Sequence, residues 1–183
     1  MVDNFVIEAI NRIYKKKDYD YFRDKCKAKL TILNDLIDIA KKGNLNIIVE
    51  SIGIEPSIRI YIKYPEFEKN GLKIEYQTII DISKIVPVYY FQHEFAVETS
   101  DENSMTSVLD GFDSQPYTFT QYNTYEEISK FLNGNGFTEL SYADMNTVIP
   151  NIEMPKDVSI FGPQFTVEIC LFNDVLNICE IED

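Results

Sequence analysis

Over the first 42 residues apolar side chains recur every third or fourth position, and from residue 46 the period falls to two. That change marks a helical segment followed by strands. Val6, Ile7, Ile10, Ile13 and Tyr14 form one helical face that Asp3 is placed to cap. Lys15, Lys16 and Lys17 put positive charge at its carboxyl end, where the helix dipole favours it. From Asp18 or Asp20 a second stripe runs through Tyr19, Phe22, Cys26, Leu30, Leu33, Leu36, Ile37 and Ala40, and Lys41, Lys42 and Gly43 stop it. The pattern predicts two helices.

After Gly43 the alternation predicts strands over Asn46–Ser51, Ser57–Tyr64, Leu72–Ile80 and Val88–Thr99, with a turn-forming loop over Glu66–Gly71. Together they read as a four-strand antiparallel meander. Ser100–Gln115 has no apolar period and reads as a long acidic connection, followed by a short strand over Tyr117–Thr120. Thr124 with Glu127, and Ser141 with Asp144, have the spacing of capping boxes. They predict two short helices, the first closed by Gly134 and the second, about two turns long, ended by Pro150. Phe165, Val167, Ile169 and Leu171 alternate with Thr166, Glu168, Cys170 and Phe172, and Val175–Ile181 is placed to return as a hairpin across Asn173 and Asp174. The whole reads as one α+β domain over residues 1–183. An N-terminal helical pair packs on a mostly antiparallel sheet, a four-strand meander plus a C-terminal hairpin, with two short helices inserted between.

A length of 183 residues, 45% hydrophobic and 26% charged, suits one folded core. Cys26, Cys170 and Cys179 are too few for a disulfide framework, and the proposed hairpin makes Cys170 and Cys179 diagonal neighbours instead of partners, so reduced thiols are expected. Met1–Ile10 lacks the layout of a secretory signal, and the longest apolar runs, such as Val86–Phe91, are far short of the ~20 residues a membrane span requires. These features predict a cytoplasmic, soluble protein.

Candidate chemistry is sparse. The single histidine, His93, lies on the apolar face of its strand between Phe91 and Phe95, the position of a hydrogen-bonded core histidine more than of a general base. One imidazole and three scattered thiols do not make a tetrahedral metal set. Asp110 with Asp113, or Glu126 with Glu127, lacks the run of oxygen ligands that a calcium loop has. Gly134 and Gly136 follow a helix, so their amides do not gather at a positive helix end to hold phosphate. Cys26, between Lys25 and Lys27, sits at a core position where a thiol is inert. No metal or cofactor is predicted.

Charge changes the picture. The net charge is −13, but residues 1–93 hold 13 acids and 15 bases while residues 94–183 hold 17 acids and only Lys130 and Lys156 as bases. Such a second half cannot neutralise itself, so it projects a negative field. That field disfavours nucleic acid and anionic membranes as direct ligands and favours a basic protein, whose encounter it accelerates. Tyr117, Phe119, Tyr122 and Tyr125 interleave with the acids, and tyrosine is frequent at binding hot spots. The predicted contact residues are Asp101, Glu102, Asp110, Asp113, Tyr117, Tyr122, Tyr125, Glu126 and Glu127. Solubility alone would also account for an acidic surface, and core packing for the aromatics.

With its acidic and aromatic stretch from Asp101 to Glu127 and its Ile-, Asn-, Lys- and Tyr-rich composition, the chain resembles in general character the immunity proteins that bacteria make against polymorphic or contact-delivered toxins. The resemblance implies a non-enzymatic inhibitor that binds a basic toxin, often a nuclease, and occludes its active site or substrate path. Two other classes remain open: a DNA-mimic inhibitor from a mobile element, with carboxylates spaced regularly along one face, and a small enzyme pairing His93 with a carboxylate such as Glu50 or Glu75.

Overall fold

A computed structural model of the chain describes residues 2–43, 45–50, 54–99, 109–152 and 164–179. Its centre is an antiparallel sheet in the order β1 (Asn46–Glu50), β2 (Ser57–Lys63), β4 (Leu72–Ser83), β5 (Val88–Thr99) and β6 (Leu109–Asp113). The short β3 (Phe67–Lys69) pairs with the start of β4, and β7 (Thr138–Glu139) runs parallel to the start of β5. The expected α+β class and the antiparallel meander β1-β2-β4-β5 are both present. The loop expected at Glu66–Gly71 folds into a small hairpin of its own. Asn70 and Gly71, with φ of 52° and 76°, make the two-residue turn, and the positive φ at both positions is what an Asn-Gly pair tolerates.

Side-chain alternation divides the sheet into two faces with separate cores. On the first face Ile58, Ile60, Ile62, Ile80, Ile82, Tyr89 and Phe91 are buried beneath α3 (Leu33–Lys41) and α4 (Phe119–Gly134), through Leu36, Ala40, Ile128 and Leu132. On the opposite face, near the β4–β5 turn, Ile85, Val86, Val88 and Tyr90 meet α1 (Asn4–Ile10), α2 (Tyr19–Lys27), α5 (Tyr142–Met145) and α6 (Val167–Phe172). The rest of that second face is mixed, with Ile48, Ile79, Ala96 and Phe112 among polar side chains. It presents Arg59, Tyr61, Gln77, Gln92 and Glu94, none of them fully buried.

The N-terminal pair is three helices. α1 passes into a π-helical turn over Asn11–Lys15 and stops before Lys17, whose φ is 57°. Asp3 starts α1 through its backbone carbonyl, but its side chain makes no cap, whereas the Asp18 carboxylate caps α2 by accepting from the Tyr21 amide. The predicted second helix breaks at Ala28, which is extended. The break has a packing reason. Phe22 and Cys26 feed one core while Leu36 and Ala40 feed the other, and one straight helix cannot face both sides of a sheet.

Three further expectations are corrected. Leu109–Asp113 is strand β6, not part of a loop. Tyr117–Thr120 is not a strand: Thr118 caps α4 in a capping box with Gln121, and Thr124 lies inside the helix with its hydroxyl donating to the Thr120 carbonyl. The C-terminal hairpin is absent, because Val167–Phe172 is helix α6 with Thr166 as its cap. Alternation misled there because Cys170 and Phe172, on the expected outer face, are as buried as Val167 and Leu171. Ser57 and Ser83 donate to the Phe172 and Leu171 carbonyls at 2.9 and 3.1 Å, satisfying the helix end and fixing it to the sheet. The second expected capping box, Ser141 with Asp144, is present, although α5 is a single turn.

The cysteines also differ from expectation. Cys26 of α2 is joined by a disulfide to Cys179, both within the core of the second face, while Cys170 is free and buried, its thiol pKa pushed up by desolvation. Hairpin geometry had excluded only the Cys170–Cys179 pair, and the bond that forms spans 153 residues of sequence.

Candidate partner-binding surface

Strand β6 leads through a short turn into α4, and Gln121 fixes the start of that helix to the sheet. Its side chain is fully buried. Its amide nitrogen donates to the Gln77 carbonyl at 3.1 Å and to the Glu94 carbonyl at 3.5 Å, and its amide oxygen accepts from the Tyr117 and Thr118 amides at 2.9 and 3.1 Å. One residue thus completes the helix cap and ties that cap to β4 and β5. The turn between β6 and α4 is shaped by Asp113, whose carboxylate accepts from the Gln115 amide at 3.0 Å.

Asp110 and Asp113 are exposed on β6, Tyr117 and Tyr122 are exposed around the start of α4, and Glu126 and Glu127 are exposed on its outer side. These six predicted contact residues lie close together in sequence but not on one face, since Asp110 is on the second face of the sheet and α4 packs on the first. Asp101 and Glu102 lie outside the described residues. Tyr125 is half-buried and packs against the first core. Its ring packs edge-on against Phe91 at 5.0 Å, and its hydroxyl donates to the Glu139 carboxylate at 3.1 Å. Asp110 and Asp113 stand on opposite faces of the strand, being three residues apart in a period of two, so they do not converge on one ion.

Three contact candidates are missing from the prediction. Phe119 is 88% exposed, Leu109 63% and Phe112 57%. Large apolar side chains so bare, interspersed with carboxylates along β6 and α4, are characteristic of interaction sites. Phe119 was among the interleaved aromatics, but reading Thr118–Gln121 as helix would have placed it at the first, outward position. Leu109 and Phe112 carry no signal while their stretch reads as loop.

A cleft of about 700 Å³ crosses β2, β4, β5 and β6. Lys63, Gln77, Glu94 and Phe112 stand across it in register, with Glu75, Ala96 and Asp110 one rung further along on the same face. The Glu94 carboxylate is oriented by the side-chain amides of Gln77 and Gln92, the latter at 2.6 Å.

The described ion pairs between side chains use acids from residues 1–93. Arg12 pairs with Asp18, Arg23 with Asp20, Arg59 with Asp81, and Lys73 with both Glu66 and Glu75. Among the described residues Glu94, Asp110, Asp113, Glu126 and Glu127 form no ion pair with Lys or Arg.

His93 is fully buried on the first face and stacks on Phe91, with Tyr125 edge-on to it. Its Nδ1 shares a 2.9 Å hydrogen bond with the Thr78 hydroxyl, which in turn meets the Tyr64 hydroxyl at 3.1 Å, while Nε2 has no partner. Desolvation pushes its pKa down to about 4, against a smaller upward pull from Asp113. It does not line the cleft. Glu139, half-buried, accepts from Tyr89, Tyr125 and Ser129, and its pKa is raised because burial outweighs those three hydroxyls. No helix among the described residues is long and apolar enough to cross a membrane. Compared with protein-family models and with curated proteins, the chain matches none.

Proposed function

We propose that the chain is a non-enzymatic, acidic protein-binding module that neutralises a cognate basic toxin, in the manner of an immunity protein. The observation that carries this reading is the succession, along β6 and the first half of α4, of exposed aromatic side chains and of carboxylates that form no ion pair with Lys or Arg among the described residues. Asp110, Asp113, Glu126 and Glu127 supply the field, and Phe112, Tyr117, Phe119 and Tyr122 supply apolar surface for short-range contact. A basic groove on a nuclease, built to hold phosphates, is complementary to that combination.

The gathering of these carboxylates around one strand and one helix, instead of along a single face, favours a toxin partner over a mimic of DNA. The packed surroundings of His93 weigh against the enzyme reading. The test is co-expression with a basic toxin encoded beside this chain, followed by stopped-flow association kinetics. Protection of growth is expected, together with an association rate that falls about tenfold between ~50 and ~200 mM salt. Joint replacement of Asp110, Asp113, Glu126 and Glu127 by their amides lowers the low-salt rate toward the high-salt value. A rate indifferent to both salt and the four substitutions refutes the reading.

A further inference from the structure

Strand β6 ends the sheet: among the described residues nothing pairs with its outer edge. A row of unpaired N–H and C=O groups templates another strand, and sheets ordinarily blunt such edges with lysine, proline, a bulge or a cover. Residues 109–113, Leu-Asp-Gly-Phe-Asp, contain no lysine or proline, and they pair with β5 in unbroken register from Val97↔Leu109 to His93↔Asp113. The strand is therefore regular and, among the described residues, uncovered; its only blunting charges are the acids Asp110 and Asp113, which repel an acidic strand and attract a basic one, and its two large apolar side chains are exposed.

The chemistry beside this edge selects what can lie on it. On the cleft face a neighbouring strand meets Asp110 and Phe112, with Glu94 and Glu75 behind them. The cations near the cleft are Lys63 and Lys73, and Lys73 is already engaged by Glu66 and Glu75. On the other face an incoming strand meets Leu109, Asp113 and the gap above Gly111, where the Phe95 ring lies so close that a Cβ would stand 2.7 Å from it. Tyr117 backs that ring at 4.8 Å. One face thus asks for cations and the other, except at Asp113, for apolar side chains.

We propose that the outer edge of β6 takes up an extended segment of the partner protein as an additional strand, its lysines or arginines alternating onto the cleft face beside Asp110 and Glu94 and its apolar residues onto the face of Leu109 and Tyr117. This rests on the proposed function and specifies how the partner is held. Main-chain hydrogen bonds provide sequence-independent affinity, and the alternate side chains provide selectivity. Five residues of edge, about 17 Å at ~3.4 Å per residue, fit a segment of about five residues.

The probes are three fluorescein-labelled peptides added to the full chain at low salt: Lys-Val-Lys-Val-Lys, the same composition ordered Lys-Lys-Lys-Val-Val, and the alternating peptide N-methylated at alternate amides on the edge-facing side. Fluorescence anisotropy should show the alternating peptide binding about tenfold more tightly than either control. It should also slow amide hydrogen exchange within residues 109–113, and Asp110→Asn should weaken it about fivefold. Equal binding of all three peptides overturns strand addition while leaving charge-driven docking, and hence the proposed function, in place. Absence of binding by all three overturns strand addition too, and the toxin kinetics then decide the proposed function independently. Tight binding that Asp110→Asn leaves unchanged overturns the assignment of the basic side chains to the cleft face.

Discussion

His93 offers the sharpest quantitative test, because it is the only histidine in the chain and its imidazole gives a single resolvable NMR signal. The ring is enclosed by Phe91, Tyr125 and Thr78, and one of its nitrogens has no partner. A charged imidazolium there would need a second acceptor that the site lacks. Its folded pKa of about 4, against the ordinary imidazole value of 6.5, means that, between those values, the unfolded chain binds a proton the folded chain refuses. The contribution to stability is therefore complete above pH 6.5 and is lost as pH falls toward 4. At ~1.4 kcal/mol per unit it amounts to about 3.5 kcal/mol in full, of which about 3 kcal/mol is lost by pH 4. Glu139 and Glu168 act in the opposite sense. Burial raises their carboxyl pKa values, so each gains stability as pH falls toward the ordinary carboxylate range. The measurement is accordingly a difference: urea unfolding of the wild type and of His93→Gln, which keeps an amide for Thr78, at intervals from pH 7.5 to 4. The gap between the two should narrow or reverse by roughly 3 kcal/mol across that range, while the His93 signal in the native protein shows no inflection near 6.5. A native titration near 6.5, or parallel pH profiles for the two proteins, would refute the account of the site as dry and closed.

Other consequences are open to simpler assays. Thiol titration of the protein denatured without reductant should find one reactive cysteine, Cys170, and three after reduction. The Cys26–Cys179 bond closes so long a loop that reduction should cost on the order of 5 kcal/mol in urea unfolding, and three thiols before reduction would exclude the bond. Gly111→Ala drives a Cβ into the Phe95 ring. It should cost about 1–3 kcal/mol and speed hydrogen exchange along β6, and an unchanged exchange rate would show that the ring moves aside freely. Thr118→Ala removes the acceptor for the Gln121 amide and should lower stability by about 1 kcal/mol; a stability equal to wild type would mean that the cap contributes nothing.

What was legible in the sequence followed from side chains whose period is unambiguous. Ile58, Ile60 and Ile62 alternate with Arg59, Tyr61 and Lys63, and β2 forms as that pattern requires. Val88–Thr99 forms β5 over the predicted span, with His93 on the predicted face. Periodicity failed where both faces are buried. From Val167 to Phe172 every residue except Glu168 is buried, so alternation and helical spacing describe the segment equally well, and only the Thr166 cap decides. It failed again in α2 and α3, because an unbroken stripe in one dimension carries no information about which side of a sheet each turn will face.

The proposed contact surface rests on a different kind of signal. Charge imbalance is a property of composition, so the concentration of carboxylates beyond residue 93 was visible before any element was placed. Whether those carboxylates find cations depends on topology. The described ion pairs form between residues near one another in sequence or on adjacent strands, Arg12 with Asp18 and Arg59 with Asp81 for example, and two of the strands that carry the bases, β2 and β4, run on the β1 side of β5. Strand β6 is on the far side, and its neighbours β5 and α4 contribute only Lys130 as a base. The order of strands thus puts β4 and β5 between Lys63 of β2 and the β6 carboxylates. A circular permutant cannot alter that separation, but placing lysines at Leu109 and Phe112 would. Both side chains are exposed, so folding should persist. Association with a basic partner should slow at least as much as on removing Asp110 and Asp113, and an unaffected rate would mean that the partner docks elsewhere.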